Sequence, residues 1–212
     1  MELSYMGPEG IHRKTHSSIV EIGVARIKTT VTDKNSDIDC LVKTFLSNDK
    51  NMKKIIGLDT ERSHQSSGDK KATALIQLCD GDNCLIVQLP CGVRVSSLFN
   101  FLNLPDFTFV GIGIQNTLRK LESEFGLTCK NAVEVGPGTW NQHLAVQKRL
   151  IRDIVSTQKP SSPIFDDWGN YLLNKDQIQL AAWNAHFAFR IGNLLTSQTY
   201  HLPPTCKELK SG

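Results

Sequence analysis

Nowhere in the 212 residues do cysteines pair at the C-x-x-C spacing of a zinc ribbon or a redox motif. The six that occur (Cys40, Cys79, Cys84, Cys91, Cys129 and Cys206) are scattered. Two of them sit in or beside apolar β-type runs where a buried thiol is ordinary, so they read as reduced and structural. No apolar stretch follows a basic N-terminal region, and no apolar run approaches the roughly 20 residues that span a bilayer. The expectation is a soluble intracellular protein, nuclear or cytoplasmic, that does not use a membrane. Charge of one sign is sparse too: 24 Lys and Arg against 21 Asp and Glu leave a net +3. That permits nucleic-acid binding but falls short of the dense basic stripe that would argue for it unaided. No internal repeat is visible, which excludes a solenoid. With 40% hydrophobic residues the chain can build one substantial core, and one domain is expected.

What is present is concentrated in Ile55–Leu89, IIGLDTERSHQSSGDKKATALIQLCDGDNCLIVQL. Three apolar β-type runs, Ile55–Leu58, Ala74–Cys79 and Leu85–Leu89, are separated by polar segments carrying Gly and Asp, the grammar of adjacent strands. The first run leads into Asp59-Thr60-Glu61. Residues two apart on an extended chain face the same side, so both carboxylates can converge on one divalent cation.

Around this stretch, Met1–Ser18 reads as a poorly ordered lead-in, 19–199 as the domain, and 200–212 as a tail. Ile19–Thr32 is rich in β-branched residues and should form one strand or two short ones. Ser36 and Asp37 offer N-caps for a helix with Ile38, Leu41, Val42 and Phe45 on one face. Periodicity predicts further helices at Ser96–Leu102, Ile114–Phe125 (stopped by Gly126), Gln142–Val155 and Lys175–Leu195, with strands at Phe107–Gly111 and Ala132–Val135. Lys159–Pro163 reads as a Ser/Pro linker inside the domain. Strands followed by alternating strands and helices predict an α/β mixed central sheet flanked by helices.

Three segments in order resemble one family. GLDTE with ALIQLC and CLIVQL, then VGIGIQNTLRKLESEFGL with KNAVEV, then DWGNYLLNKDQIQLAAWNAHFAFRI are similar to the three motif regions of the DEDD-type (DnaQ-like) 3′–5′ exonucleases. The likeness is greatest to the Werner-syndrome-like exonuclease domains of plants, through TTVTDKNSDID near the start, and it covers Ile19–Leu195. The resemblance implies an RNase H-like fold and a two-metal displacement, in which four carboxylates hold two divalent ions. Asp59 and Glu61 fall on the two carboxylates of the first motif. Thr117 falls where the family has its second-motif Asp, with Asn116 just before it. Asn184 falls on the final Asp, and Leu180 on the Tyr that positions the attacking water.

With two neutral replacements, the resemblance implies Mg²⁺ or Mn²⁺ held only weakly at Asp59 and Glu61. Thr60, Asn116 and Trp183 are the candidate nucleic-acid contacts, Trp183 by stacking a base. His64, beside Glu61, and the Lys70-Lys71 and Lys148-Arg149-Arg152 runs read as solvated surface. Glu134 and Asp153 are the other acids that tertiary geometry could bring near. The leading expectation is a family protein acting on or binding the 3′ end of single-stranded DNA or RNA, with weak or altered catalysis. One alternative is a genuinely active exonuclease. The other is a non-catalytic homo-oligomeric scaffold, since Phe187, Phe189 and Leu194, with the apolar face of Gln142–Val155, exceed what one core need bury.

Overall fold

The β-branched run near the start folds as a hairpin in this computed structural model, which describes residues 15–63, 72–89, 96–142, 145–156, 159–160, 167–170 and 172–196. Strands β1 (His16–Ile22) and β2 (Ala25–Thr32) pair antiparallel. His16 is in register with Val31, so β1 includes the last three residues of the stretch read as a lead-in. His64, Lys70-Lys71, Pro90–Gly92, His143 and the tail lie outside the described residues.

Helix α1 (Asn35–Leu46) begins one residue before the expected caps, and Lys34 at its N-cap makes no side-chain cap bond. Asp37 is not a cap. Its carboxylate accepts hydrogen bonds from the hydroxyls of Thr15 and Thr32 (3.0 Å for Thr32) and so ties the helix to the hairpin. The Thr15 hydrogen bond is the main influence holding that carboxyl below its usual range.

The remaining elements are β3 (Ile55–Arg62), β4 (Thr73–Cys79), β5 (Asn83–Gln88), α2 (Ser96–Leu102), β6 (Thr108–Gly111), α3 (Ile114–Phe125), β7 (Ala132–Glu134), a 3₁₀ turn (Pro137–Gln142), α4 (Ala145–Val155) and α5 (Lys175–Leu195). Gln142 therefore ends a tight turn instead of opening α4. Gly126 stops α3 in the left-handed conformation (φ 67°), its N–H donating to Glu122 O. Asn174 and Gln177 close a capping box at the start of α5.

The seven strands form one sheet in the order β1-β2-β5-β4-β3-β6-β7. The pairs β2/β5, β3/β6 and β6/β7 are parallel and the others antiparallel. This is the mixed sheet that the alternation of elements predicts. Strand period sorts the core between the two faces: Ile56, Leu58, Ile76, Leu78, Leu85 and Val87 pack with α1, α2 and α3. On the other face, Leu75, Cys79, Cys84 and Ile86 meet Ala181, Ala182 and Ala185 of α5. Because helices cover both sides, every residue of β4 is buried and it shows no polar alternation.

Alanines let α5 lie close to β3. A Cβ at Gly57 would stand 2.0 Å from the carbonyl oxygen of Ala185 and 2.6 Å from the backbone nitrogen of Phe189. That contact places α5 beside the polar end of β3.

Candidate active site

Asp59 and Glu61 occupy the second half of β3, where the strand passes from fully buried to half-exposed residues. Asp59 is in register with Gln77 and Glu61 with Leu75, and a bulge follows between Glu61 and Arg62. Both acids continue the face on which Gly57 touches α5, so they point toward that helix. Asn184 of α5 meets them there, its Nδ2 donating to Glu61 Oε1 at 2.9 Å. This hydrogen bond joins two segments far apart in the chain, the end of β3 and the middle of α5.

Burial dominates the electrostatics of the pair. It pushes the Asp59 carboxyl up to about 6, against weaker opposing effects of the Thr60 backbone hydrogen bond and the Lys159 charge. Glu61 is pushed up to about 7 by burial first and by the Asp59 charge second, while the Asn184 hydrogen bond and Lys159 pull it back. Both folded-state values lie above the ordinary ones, so the folded protein holds extra protons between about pH 4 and 7. The sign follows: the pair's contribution to stability is greatest at low pH and declines as pH rises through that window. Metal-free protein should therefore melt at a lower temperature at pH 8 than at pH 5.5 on account of this pair, and Asp59→Asn with Glu61→Gln should flatten that slope. A slope unchanged in the double variant would show that other groups produce it.

The other sequence-derived candidates are distributed unevenly. Leu180, one turn before Asn184 on α5, is buried at 3% exposure. Thr117 is half-buried and Asn116 exposed in the first turn of α3, their N–H groups donating to Gly113 O. Among the described residues, no hydrogen bond joins either to the carboxylates. Trp183 is not the open stacking platform expected: it is 7% exposed and stacks on Phe187 with ring centroids 4.6 Å apart. The helix turns that residue toward the sheet, among Leu75, Ile178 and Ala182.

Glu134 is also committed elsewhere, its carboxylate accepting from the N–H groups of Gly113, Ile114 and Gly136 at 2.8–3.0 Å and so capping α3. Asp153 is exposed on α4, in a groove with Leu150 and Phe189. His186 is buried with Nδ1 3.8 Å from Cys79 Sγ.

Two residues escaped the sequence reading. Gln77 is fully buried in register with Asp59, and among the described residues neither its Nε2 nor its Oε1 meets a hydrogen-bond partner. Its position in an apolar strand hid it. Lys159, read as linker, lies with Nζ 5.6 Å from the centroid of the Trp183 ring.

The donor set bears on metal binding directly. Among the described residues, no group of three or more His, Cys, Asp or Glu side chains is placed to hold a metal. Two carboxylates on one face of β3 suit one Mg²⁺ or Mn²⁺ that keeps several waters. They do not suit two ions: divalent cations about 4 Å apart repel by roughly 15–20 kcal/mol at an effective dielectric near 20. Two carboxylates offset too little of that, and Asn184 turns its donating end toward Glu61.

A seven-stranded mixed sheet flanked by helices, with an Asp-x-Glu pair at one end of a central strand, is the RNase H-like exonuclease architecture. The chain belongs to the 3′–5′ exonuclease family, whose model matches residues 35–199. No curated protein matches it by sequence. Among solved structures it is similar to the catalytic core of RRP6 from Trypanosoma brucei (mutant C496S), at 20% identity and a TM-score of 0.61, over 83% of this chain and 48% of that one. It is also similar to Escherichia coli RNase D, an exoribonuclease involved in structured RNA processing (19% identity, TM-score 0.60, 78% of this chain and 44% of that one). Brucella melitensis NrnC matches at 16% identity and a TM-score of 0.55, over 70% of this chain and 74% of that one. NrnC has also been solved with bound Mg²⁺ and bound to pGG. The chain thus spans about half the length of the RRP6 core and of RNase D. Among the described residues, no helix is long and apolar enough to cross a membrane.

Proposed function

We propose that this protein binds the 3′ end of single-stranded nucleic acid at the Asp59–Glu61 end of β3, with weak or altered exonuclease catalysis. The observation that carries this reading is the convergence of Asp59 and Glu61 with the amide of Asn184, 2.9 Å from Glu61, instead of with a third carboxylate. On this reading Thr117 and Asn184 take the positions where the Werner-like exonucleases that the sequence resembles carry acids. Leu180 stands at the position of the water-positioning Tyr.

A single Mg²⁺ or Mn²⁺, when bound, would supply Lewis acidity at a phosphoryl oxygen. Asp59 and Glu61 would hold it, and Thr60 and Asn116 would contact the strand's backbone. With Leu180 in the Tyr position, no side chain there can hydrogen-bond to an attacking water. NrnC bound to Mg²⁺ and to pGG is a precedent for both ligands on this fold.

The test is digestion of end-labelled single-stranded DNA and RNA with and without Mn²⁺, paired with calorimetry. The expected result is retained binding, slow or absent shortening, and one metal site of millimolar or weaker affinity. Two tight metal sites in the nucleic-acid-free protein, or turnover matching an intact family enzyme, would overturn it.

The scaffold reading has one observation on its side. Leu150 and Val155 of α4 are 42% and 44% exposed, and Leu150 borders the groove lined by Phe189 and Leu194. Much of the apolar excess expected to drive assembly is nonetheless absorbed internally, with Ile151 and Ile154 buried and Phe187, Phe189 and Leu194 half-buried in one cluster. A monomeric mass by light scattering at tens of micromolar protein would remove this reading.

A further inference from the structure

We propose that Cys79 and Cys84 form an oxidisable dithiol, which a hydroperoxide converts to an intrachain disulfide that locks the β4–β5 hairpin beneath α5. The inference is independent of what the Asp59–Glu61 end of β3 binds.

The hairpin itself brings the two thiols together. Cys79 and Cys84 stand in direct register across antiparallel β4 and β5, with Asp80, Gly81, Asp82 and Asn83 between them in the chain. The Asp80 N–H donates to Asn83 O at 3.1 Å, and hydrogen-bonded and non-hydrogen-bonded pairs alternate along such a ladder, so Cys79 and Cys84 form a non-hydrogen-bonded pair. Cα atoms of such a pair are about 4.5 Å apart, inside the roughly 4.4–6.8 Å that a disulfide bridges. Both side chains lie on the α5 face of the sheet and are fully buried. The register is pinned at the turn: the Asp80 carboxylate accepts from the Asp82 and Asn83 N–H groups at 3.0 and 2.7 Å and from the Asn48 side chain at 2.8 Å. Bridging the sulfurs therefore asks for no movement of the backbone.

Two further groups face the Cys79 sulfur. His186 Nδ1 lies 3.8 Å from Sγ, and the Gly81 N–H donates to Sγ at 3.4 Å. An N–H aimed at sulfur favours the thiolate, which is the form that attacks. Burial acts the other way and pushes the Cys79 thiol well above its usual range, with the neighbouring Cys84 thiol adding to the effect. Oxidation should accordingly be slow. The cover over the turn also selects a small oxidant: a Cβ at Gly81 would stand 2.6 Å from the Phe189 ring, which closes over that residue.

The chemistry balances with a hydroperoxide as the only co-reactant. Cys79 Sγ attacks one peroxide oxygen and the O–O bond breaks; the other oxygen leaves with the thiol proton, as water when the oxidant is hydrogen peroxide, and Cys79 becomes a sulfenic acid. Cys84 Sγ then attacks Cys79 Sγ, the S–O bond breaks, and a second water leaves with the Cys84 proton. Two electrons pass from the two sulfurs to the peroxide.

The test treats the folded full chain with hydrogen peroxide, alkylates the remaining thiols and digests the protein with a protease that cuts before aspartate. Cuts at Asp80 and Asp82 separate the two cysteines, so a Cys79–Cys84 bond holds two peptides together until dithiothreitol is added. The expected result is that linked pair, lighter by two hydrogens than the sum of its reduced peptides. The linked chain should also melt at a higher temperature than the reduced one, because the bond constrains the unfolded state, and dithiothreitol should return it to the parent value. Cys84→Ala should give no linked pair; a pair that survives in this variant means that Cys79 has bonded elsewhere, and the inference falls. If Cys84→Ala fails to fold, the parent's peptide map decides by itself. No linked pair in protein whose exposed Cys40 is already oxidised overturns the inference. A pair that forms only in urea, or a linked chain that melts no higher than the reduced one, overturns it too.

Discussion

Asn184→Asp should lower the melting temperature in EDTA and recover it on addition of Mg²⁺ or Mn²⁺. The substitution removes a 2.9 Å hydrogen bond from Asn184 Nδ2 to Glu61 and sets a third carboxylate against a pair whose protons are already retained by burial and by mutual repulsion. Because the site is half-exposed, the apo cost should be discounted to about 1–2 kcal/mol, or about 3–6 °C for a chain of this size. Metal reverses the sign, since the same three oxygens then surround a cation. Adding Thr117→Asp should tighten metal binding further and raise any 3′–5′ exonuclease activity. On the proposed reading, Leu180→Tyr in that background should raise activity again by supplying a hydroxyl to position an attacking water. The last change carries its own cost of about 1–3 kcal/mol, because Leu180 is 3% exposed and a phenol there overpacks unless it swings toward the cleft. An Asn184→Asp protein whose melting ignores metal, or a triple variant no more active than its parent, would mean that the cleft differs from an active one beyond these three positions.

Among the described glycines, Gly57 should tolerate an added methyl least. The new Cβ would lie 2.0 Å from the carbonyl oxygen of Ala185 and 2.6 Å from the nitrogen of Phe189. Both are helix backbone, so no rotamer change relieves the clash; α5 must lift from β3 as a unit. A loss above about 3 kcal/mol is expected, a large part of the 5–15 kcal/mol that holds a typical domain folded. Lifting α5 also carries Asn184 away from Glu61, so metal and oligonucleotide binding should fall with stability. Gly126→Ala is the contrasting control: nothing lies within 4 Å of its Cβ, and only the left-handed backbone (φ 67°) is penalised, by about 1–2 kcal/mol. Equal denaturation midpoints for Gly57→Ala and the parent would show that the β3–α5 approach is looser than this geometry.

What the sequence determined by itself was everything that depends on short-range period. Two-residue alternation put Asp59 and Glu61 on one side of β3, three-to-four-residue spacing located α3 and α5, and Gly126 marked the end of α3. The order of elements and the resemblance to a family with that fold also led to the sheet architecture. Which residues share the site with Asp59 and Glu61 depended on how α5 crosses the sheet. Spacing along a helix assigns neighbours to a face but does not say which face meets the strands, so Trp183 turned inward while Asn184 reached Glu61. Capping demand at α3 claimed Glu134, an acid that looked available in the sequence. Lys159, in a Ser/Pro segment with no periodicity, came to lie over Trp183. Local period is a property of backbone dihedrals, whereas contacts between distant segments come from packing the whole chain around one sheet, and only the folded structure contains them.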